Sequence, residues 1–220
     1  QVSHDIRSPL AALKMALEEV ENIPEEHRAL IRSSVSRIND IANNLLNTDK
    51  SSQKESKMEI ELLAPLIDSL VSEKRMQFRN NNNVEIITDL NKSYGLFANV
   101  NSVELSRVLS NVFNNSVEAF DGKGKIVVSL SEAQEKILLE IKDNGKGIPV
   151  SVLEKLGTQG VTHGKEGSQS GSGLGISHAK STIESFGGEF KIESVVGNGT
   201  TIKIYLPKLA VPKWFVEAIT

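Results

Sequence analysis

The chain has 220 residues, 39% of them hydrophobic, which is enough for one large domain or two of ordinary size with a buried core. Its formal net charge is -3 and its Lys and Arg residues are scattered, which argues against a nucleic-acid partner. The absence of cysteine excludes disulfides, thiolate metal sites and thiol catalysis, and suits the reducing cytosol. No uncharged apolar run approaches the roughly 18 to 20 residues that cross a bilayer, so we expect a soluble, cytoplasmic protein.

The first predicted element is an all-α antiparallel hairpin over residues 1–50. Apolar residues recur in steps of four and three over 6–20 and again over 31–45, with a break at Pro24 between the two helices. A second copy would cover the apolar flank of the hairpin and make a four-helix bundle in a homodimer, although an upstream partner could do the same. Because the chain begins at Gln1 and enters this pattern at once, we expect an upstream part, in which any sensor or membrane anchor would lie.

A polar, Ser- and Lys-rich linker is predicted over residues 51–57, followed by a second domain over 58–208. Helices and strands mix there without strict alternation, which predicts an α+β sandwich rather than a doubly wound sheet. The predicted strands are 58–63, 84–90, 125–131, 137–142, 189–195 and 200–206, and the predicted helices end near Phe78, Phe120 and Phe186.

A C-terminal extension is predicted over residues 209–220, and it carries the only Trp of the chain, Trp214. An exposed aromatic segment of this kind could pack on a neighbour, lead into a further domain such as a receiver, or form a packed extension of the second domain.

The first group of candidate functional residues lies at the start of the first predicted helix, from His4 to Pro9. His4 is off the apolar stripe, so its imidazole should face solvent, with Ser8 one turn later on the same face. Pro9 removes a backbone donor and should kink the helix beside the histidine. Taken alone, His4 is more simply interpreted as a solvated surface histidine.

A second group lies on the predicted helix 102–120, where Asn111 and Asn115 are one turn apart on one face. Their amide oxygens could bind a hard cation such as Mg²⁺ together with phosphate oxygens. Asn also caps or decorates many helices, so this pair by itself is weak evidence.

The third and most specific group is rich in glycine: Asp143 to Gly147 follows a strand, and Gly171 to Gly175 opens a helix. Glycines allow the backbone to approach a ligand closely, and a helix N-terminus presents free N–H groups to phosphate. A nucleotide is therefore the natural ligand. The spacing matches neither the dinucleotide fingerprint nor the phosphate-binding P-loop.

Taken together and in this order, the groups resemble the H, N, G1 and G2 boxes of sensor histidine kinases, from His4 to about Pro207. The resemblance implies a dimerisation and phosphotransfer hairpin, then an ATP-binding domain of the kind found in gyrase and Hsp90, with helices on one face of a mixed sheet. It also implies autophosphorylation of His4 with ATP and Mg²⁺ as cofactors. The phosphoryl group would then pass to an Asp of a response regulator receiver domain.

The same resemblance implies a role for each site residue. His4 would accept the phosphoryl group, Asp5 would orient and activate its imidazole, and Ser8 would stand where the family often has Thr or Asn, at the position linked to dephosphorylating the partner. The nucleotide contacts would come from Asn111, from Asn115 as the Mg²⁺ ligand, from Asp143 at the adenine amine, from Gly145, Gly147 and Thr201 around the base, and from Gly171, Gly173, Leu174 and Gly175 in the lid. Glu118 stands where many members of the family have a basic residue, so Lys165, His163 and Lys146 are other candidates for phosphate contacts, and each is more simply interpreted as a solvated side chain.

Two other functions stay open at this level. A gyrase- or Hsp90-like ATP hydrolase shares the nucleotide pocket but activates water with a Glu where this chain has Asn111, and an amide cannot act as that base. A catalytically silent dimeric scaffold would bind nucleotide without labelling His4.

Overall fold

The structure is a computed structural model that describes residues 57–79, 83–153 and 174–215. Apart from Leu174, these residues belong to one compact unit of the chain. None of the helices in these three segments is long and apolar enough to cross a membrane. The predicted hairpin and part of the glycine-rich segments lie outside the described residues, and with them His4, Asp5, Ser8, Lys165, Gly171 and Gly173.

The described elements follow one another in this order: β1 (Glu59–Leu62), α1 (Leu63–Gln77), β2 (Val84–Asp89), β3 (Phe97–Val100), α2 (Ser102–Glu118), β4 (Gly124–Ala133), β5 (Lys136–Asp143), α3 (Val150–Leu153), α4 (Leu174–Ser185), β6 (Glu189–Val195) and β7 (Gly199–Pro207). Five strands form a mixed sheet in the spatial order β2-β4-β5-β7-β6. Only the pairing of β2 with β4 is parallel. Strands β1 and β3 form a separate antiparallel pair.

The sheet forms because its strands alternate between two environments. Alternate side chains are apolar and buried from Ile126 to Leu130 in β4 and from Ile137 to Ile141 in β5. Side chains along a strand point to opposite faces in turn, so these residues all lie on one face of the sheet. The opposite face carries polar and half-buried residues. The two strands are joined at Gln134 and Glu135, which both have positive φ.

Helices cover the buried face of the sheet. Asn101 caps the N-terminus of helix α2: its side chain accepts a hydrogen bond from the Glu104 N–H at 2.9 Å, which is half of a capping box. Ile67 of α1, Phe113 of α2 and Ile183 of α4 are each buried in one core together with the sheet. The predicted α+β sandwich, with helices on one face of a mixed sheet, is therefore confirmed for the second domain.

Two elements were not predicted from the sequence. Strand β3 has only four residues, and three of them are buried, so it lacks the period-two pattern that identifies a half-buried strand. Helix α3 is a single turn. Helix α2 also ends at Glu118, two residues earlier than predicted.

The segment after β7 packs on the small sheet. The Leu209 N–H donates to the Phe97 carbonyl oxygen at 2.8 Å. The Phe215 ring lies 5.0 Å from the Phe97 ring, and the Trp214 ring lies 5.8 Å from it, both edge to face. Of the three interpretations given to this segment, its contacts up to Phe215 fit a packed extension.

Candidate functional site

Asp143 is the centre of the described site. It is the last residue of β5 and is 5% exposed. One carboxylate oxygen, Oδ1, accepts hydrogen bonds from the N–H groups of Gly145 at 2.9 Å and Thr200 at 3.1 Å. The other oxygen, Oδ2, accepts one from the Ser116 hydroxyl at 3.0 Å. Three donors therefore hold a buried carboxylate, which would be costly to bury without them.

Ser116 and Thr200 were not identified from the sequence. Ser116 lies on α2, directly after Asn115. Thr200 is buried on β7, and its hydroxyl lies 2.9 Å from the Ser194 hydroxyl of the neighbouring strand. A sequence signal existed for Thr200, because it directly follows a glycine at the start of a predicted strand.

Thr201, which the sequence placed near the base, lies on the wrong face of its strand for the described site. Along β7 the side chains of Thr200, Ile202, Ile204 and Leu206 are buried and face the helices, whereas Thr201 is half-buried and points to the opposite face of the sheet. It pairs there with Lys142 of β5 and lies away from the Asp143 carboxylate. We therefore replace Thr201 with Thr200 in the site.

Gly145 lies where no side chain fits. A Cβ at Gly145 would lie 2.8 Å from the Ala119 Cβ and 2.9 Å from the Ala119 carbonyl oxygen. That carbonyl accepts a hydrogen bond from the Lys146 N–H at 3.0 Å, so the loop is tied directly to the end of α2.

Gly147 lies equally close to the turn between β6 and β7. Its φ is +69°, and a Cβ there would collide with the Val195 carbonyl oxygen. The Gly197 N–H donates to the Lys146 carbonyl at 2.8 Å. The loop from Asp143 to Gly147 is thus held by hydrogen bonds from both sides, and its backbone, rather than bulky side chains, borders the carboxylate.

Helix α2 connects the surroundings of Asp143 to the two predicted asparagines. Asn111 is half-buried and Asn115 is exposed, one turn apart, and Asn115 directly precedes Ser116. A Cβ at Gly175 would lie 3.9 Å from the side-chain amide of Asn111, so the start of α4 lies beside that asparagine. The structure therefore brings Asn111 next to Gly175, and places Asn115 on the same helix as the residues that border Asp143.

A second contact joins α4 to α2 two turns before Asn111. The His178 Nε2 lies 3.4 Å from the Glu104 carboxylate, and the Arg107 guanidinium lies 3.9 Å from the same oxygen. Burial lowers the pKa of the His178 imidazole, and the positive charge of Arg107 lowers it further, while Glu104 acts in the opposite direction. At neutral pH we therefore expect a neutral imidazole at this contact.

The hydrogen bonds around Asp143 leave room for one kind of additional partner, a hydrogen-bond donor. A carboxylate offers about four lone-pair directions. Asp143 uses three of them, and the one that is left belongs to Oδ2. A buried acceptor of this kind, bordered by a loop without side-chain bulk, fits a flat ligand that donates a hydrogen bond, such as the amino group of a base. The exposed amide of Asn115 and the start of α4 are suited to anionic or metal-bound groups of the same ligand.

Two family models match the chain. The model described as histidine kinase-, DNA gyrase B- and HSP90-like ATPase matches residues 100–210. The model described as His Kinase A (phospho-acceptor) domain matches residues 1–54. Between them, these matches include all the predicted site residues.

Curated proteins similar to this chain include sensor and sporulation kinases. The chain is 26% identical over 217 residues to the sensor histidine kinase WalK of Bacillus subtilis, covering 94% of this chain and 35% of the relative. It is 29% identical over 212 residues to sporulation kinase A of the same organism, covering 94% and 34%. The chain thus spans about a third of the length of the curated relatives it matches.

Solved structures share the fold. The mycobacterial sensor histidine kinase MprB superposes with a TM-score of 0.57 at 23% identity, over 69% of this chain and 97% of that one. Full-length ShkA, solved in complex with AMPPNP, gives a TM-score of 0.67 at 18% identity, over 94% of this chain and 44% of that one.

Proposed function

This chain belongs to the sensor histidine kinases of two-component systems, with a phospho-acceptor domain followed by a histidine kinase-, gyrase B- and HSP90-like ATPase domain, and from that membership we propose that it binds Mg-ATP and phosphorylates its own His4. The observation that carries the proposal is the buried carboxylate of Asp143, with three protein donors and one acceptor direction left.

The adenine amine is the donor that completes Asp143 in this proposal. Gly145 and Gly147 let the loop lie against Ala119 and Val195, where a side chain would collide, so the loop would present its backbone to the base. Recognition by a fixed buried acceptor favours ligands that carry the matching N–H, since a ligand without it leaves one acceptor direction of the carboxylate unfilled.

The phosphates would lie toward Asn111, Asn115 and the start of α4. The amide oxygen of Asn115 would bind Mg²⁺ together with phosphate oxygens, as hard cations prefer. Free N–H groups at the start of α4, near Leu174 and Gly175, would face the phosphate oxygens. Gly171 and Gly173 stay in the proposal as hinges of a lid, and Lys165 stays as a candidate phosphate contact.

The reaction would be an in-line phosphoryl transfer to a ring nitrogen of His4. The lone pair of the neutral imidazole forms the new N–P bond to the γ-phosphorus, while the bond from that phosphorus to the β–γ bridging oxygen breaks and ADP leaves. The N–H proton on the other ring nitrogen is hydrogen-bonded or passed to the Asp5 carboxylate, which raises the basicity of the attacking nitrogen.

The same proposal covers the partners. A homodimer through the hairpin of residues 1–50 would present His4, and the phosphoryl group would pass to an Asp of a receiver domain. Ser8 would stand at the position linked to dephosphorylation of that receiver domain. Since ATP and receiver domains are cytoplasmic, this part of the chain would act in the cytoplasm. The proposed domain boundaries are 1–50 for the hairpin, 51–57 for the linker, 58–208 for the ATP-binding domain and 209–220 for the C-terminal extension.

A gyrase- or Hsp90-like hydrolase is the less suitable function for this site. Asn111 lies beside Gly175 on the face of α2 that would meet the phosphates, and an amide cannot take a proton from water.

The test is to label the purified chain with γ-phosphate-labelled ATP and Mg²⁺ and to compare His4→Gln with His27→Gln, a matched change at another histidine of the phospho-acceptor domain. We expect acid-labile label on the wild type and on His27→Gln, and none on His4→Gln. Label that survives in His4→Gln would refute the proposed acceptor. Phosphate release without label would indicate a hydrolase, and ATP binding with neither would indicate a silent scaffold.

A further inference from the structure

The hydroxyl of Ser116 is the one side-chain donor among the described contacts of the Asp143 carboxylate, and the proposed function gives it no role. We propose that Ser116 is a positioning residue for base recognition: its hydroxyl fixes Asp143 Oδ2 so that the remaining acceptor direction selects a purine with an amino group at position 6 over one with a carbonyl group or a hydrogen. This inference deepens the proposed function and rests on it.

The two oxygens of Asp143 are held in different ways. Oδ1 is bound by two backbone N–H groups, from Gly145 and Thr200, and these stay in place as long as the loop and β7 keep their fold. Oδ2, which has the free acceptor direction, is bound within the described residues only by Ser116. The side chain that can be changed without moving the backbone is therefore the one that contacts the recognising atom.

Rotation of the carboxylate is the motion that Ser116 restricts. The terminal torsion of an Asp side chain has a broad energy minimum, so two bonds to Oδ1 alone leave the plane of the group free to turn. The Ser116 hydroxyl, at 3.0 Å from Oδ2, adds a third fixed point. Both residues are at most 5% exposed, so the contact between them lies inside the protein. A fixed plane presents the last lone pair of Oδ2 in one direction.

The direction of that lone pair determines which base is accepted. An amino group at position 6 of a purine donates to Oδ2. A carbonyl oxygen at position 6 would place two acceptors face to face without a hydrogen atom between them. The Ser116 hydroxyl cannot relieve this conflict, because its single proton already points at Oδ2. A hydrogen at position 6 leaves the second acceptor direction of Oδ2 unfilled, although Ser116 still donates to that oxygen.

The experiment is a chemical double-mutant cycle between Ser116 and the 6-amino group. Dissociation constants of the full chain with Mg²⁺ are measured for ATP, inosine triphosphate and purine riboside triphosphate, which carry an amino group, a carbonyl group and a hydrogen at position 6. The variants are Ser116→Ala, Ser116→Thr, which keeps the hydroxyl, and Ser116→Cys, which keeps the volume with a weak donor.

We expect Ser116→Ala to weaken ATP binding about tenfold, equivalent to about 1.4 kcal/mol. We expect it to weaken binding of purine riboside triphosphate much less, so that the preference for the amino group falls by a similar factor. Ser116→Cys should behave like Ser116→Ala without a packing defect, and Ser116→Thr should keep the preference. The control is Ser93→Ala, which removes another buried hydroxyl, bonded to the Leu90 carbonyl at 2.6 Å, and should leave the preference unchanged.

Equal loss of affinity for all three nucleotides in Ser116→Ala would overturn the inference, because a packing role alone gives that result. A wild type that prefers ATP, with a preference that Ser116→Ala and Ser116→Cys both keep, would overturn it while leaving the proposed function intact. A wild type that binds none of the three nucleotides would refute the proposed function, and this inference with it.

Discussion

Substitution of Gly147 tests whether the loop that carries it lies as close to Val195 in solution as in the structure. Its φ of +69° lies in the left-handed region, and an added Cβ would collide with the Val195 carbonyl oxygen and lie 3.0 Å from the Val196 Cα. Left-handed backbone costs an ordinary residue about 1 to 2 kcal/mol. Forcing extra atoms into a packed site costs about 1 to 3 kcal/mol more. After about 0.4 to 1 kcal/mol is returned by the stiffer unfolded chain, Gly147→Ala should lose roughly 1 to 5 kcal/mol.

The control is Gly122→Ala, which shares the backbone strain without the collision. Gly122 has φ of +90° and nothing within 4 Å of a Cβ, so we expect a loss of about 1 kcal/mol or less. Urea unfolding followed by circular dichroism measures both variants, and titration with Mg-ATP measures whether the displaced loop still binds. We expect only Gly147→Ala to lose nucleotide affinity, by about tenfold or more. Equal costs in the two variants, with unchanged affinity, would refute the argument that Gly147 is required by the approach of Val195.

Three further changes test other parts of the domain. Burial lowers the pKa of His178 below its ordinary value of 6.5, so the unfolded state binds its proton more readily and this contribution to stability is lost as the pH falls below about 6.5. His178→Gln should flatten the dependence of unfolding free energy on pH between about 7 and 5, and an unchanged slope would contradict this. Glu135→Gly should raise the unfolding free energy by about 1 kcal/mol, because Glu135 has φ of 62° in a two-residue hairpin turn; a loss of stability would contradict the turn. Trp214→Ala should cost only about 0.5 to 1.5 kcal/mol, since the side chain is 71% exposed and contacts Phe97 at a ring edge; a loss well above that range would show that the extension is part of the core.

The sequence predicted the main elements of the sheet and helices because most of them carry a strong local pattern. Alternating apolar residues in β4 and β5, and the capped apolar stripe of α2, depend on neighbours within a few positions in the chain. Strand β3 was missed for the opposite reason. Phe97 is buried by β1, by Leu209 and by the rings of the extension, which come from distant parts of the chain. A local sequence pattern cannot predict a strand that is buried in this way.

The site was predicted unevenly in the same way. Asp143, Gly145 and Gly147 stand in one short motif and could be proposed from it. Ser116 and Thr200 reach Asp143 across 27 and 57 residues, so only the folded chain shows them together. The choice of Thr201 over Thr200 is an error of strand register, because a shift of one residue along β7 turns the side chain to the other face of the sheet.

Helix α2 explains why base recognition and phosphate binding would depend on each other in this domain. Asn115 and Ser116 are consecutive, yet they point about 100° apart around the helix, so one is exposed beside the proposed metal site and the other is buried against Asp143. A rotation of α2 by even a fraction of a turn would therefore move both contacts together. Phe113, which is 1% exposed in the core, resists such a rotation. Phe113→Leu should then reduce ATP affinity and the preference for the amino group in parallel, whereas Asn115→Ala, measured in the same titrations, should reduce affinity and keep the preference. A Phe113→Leu variant that stays folded and loses only one of the two properties would show that the ends of the site are set independently.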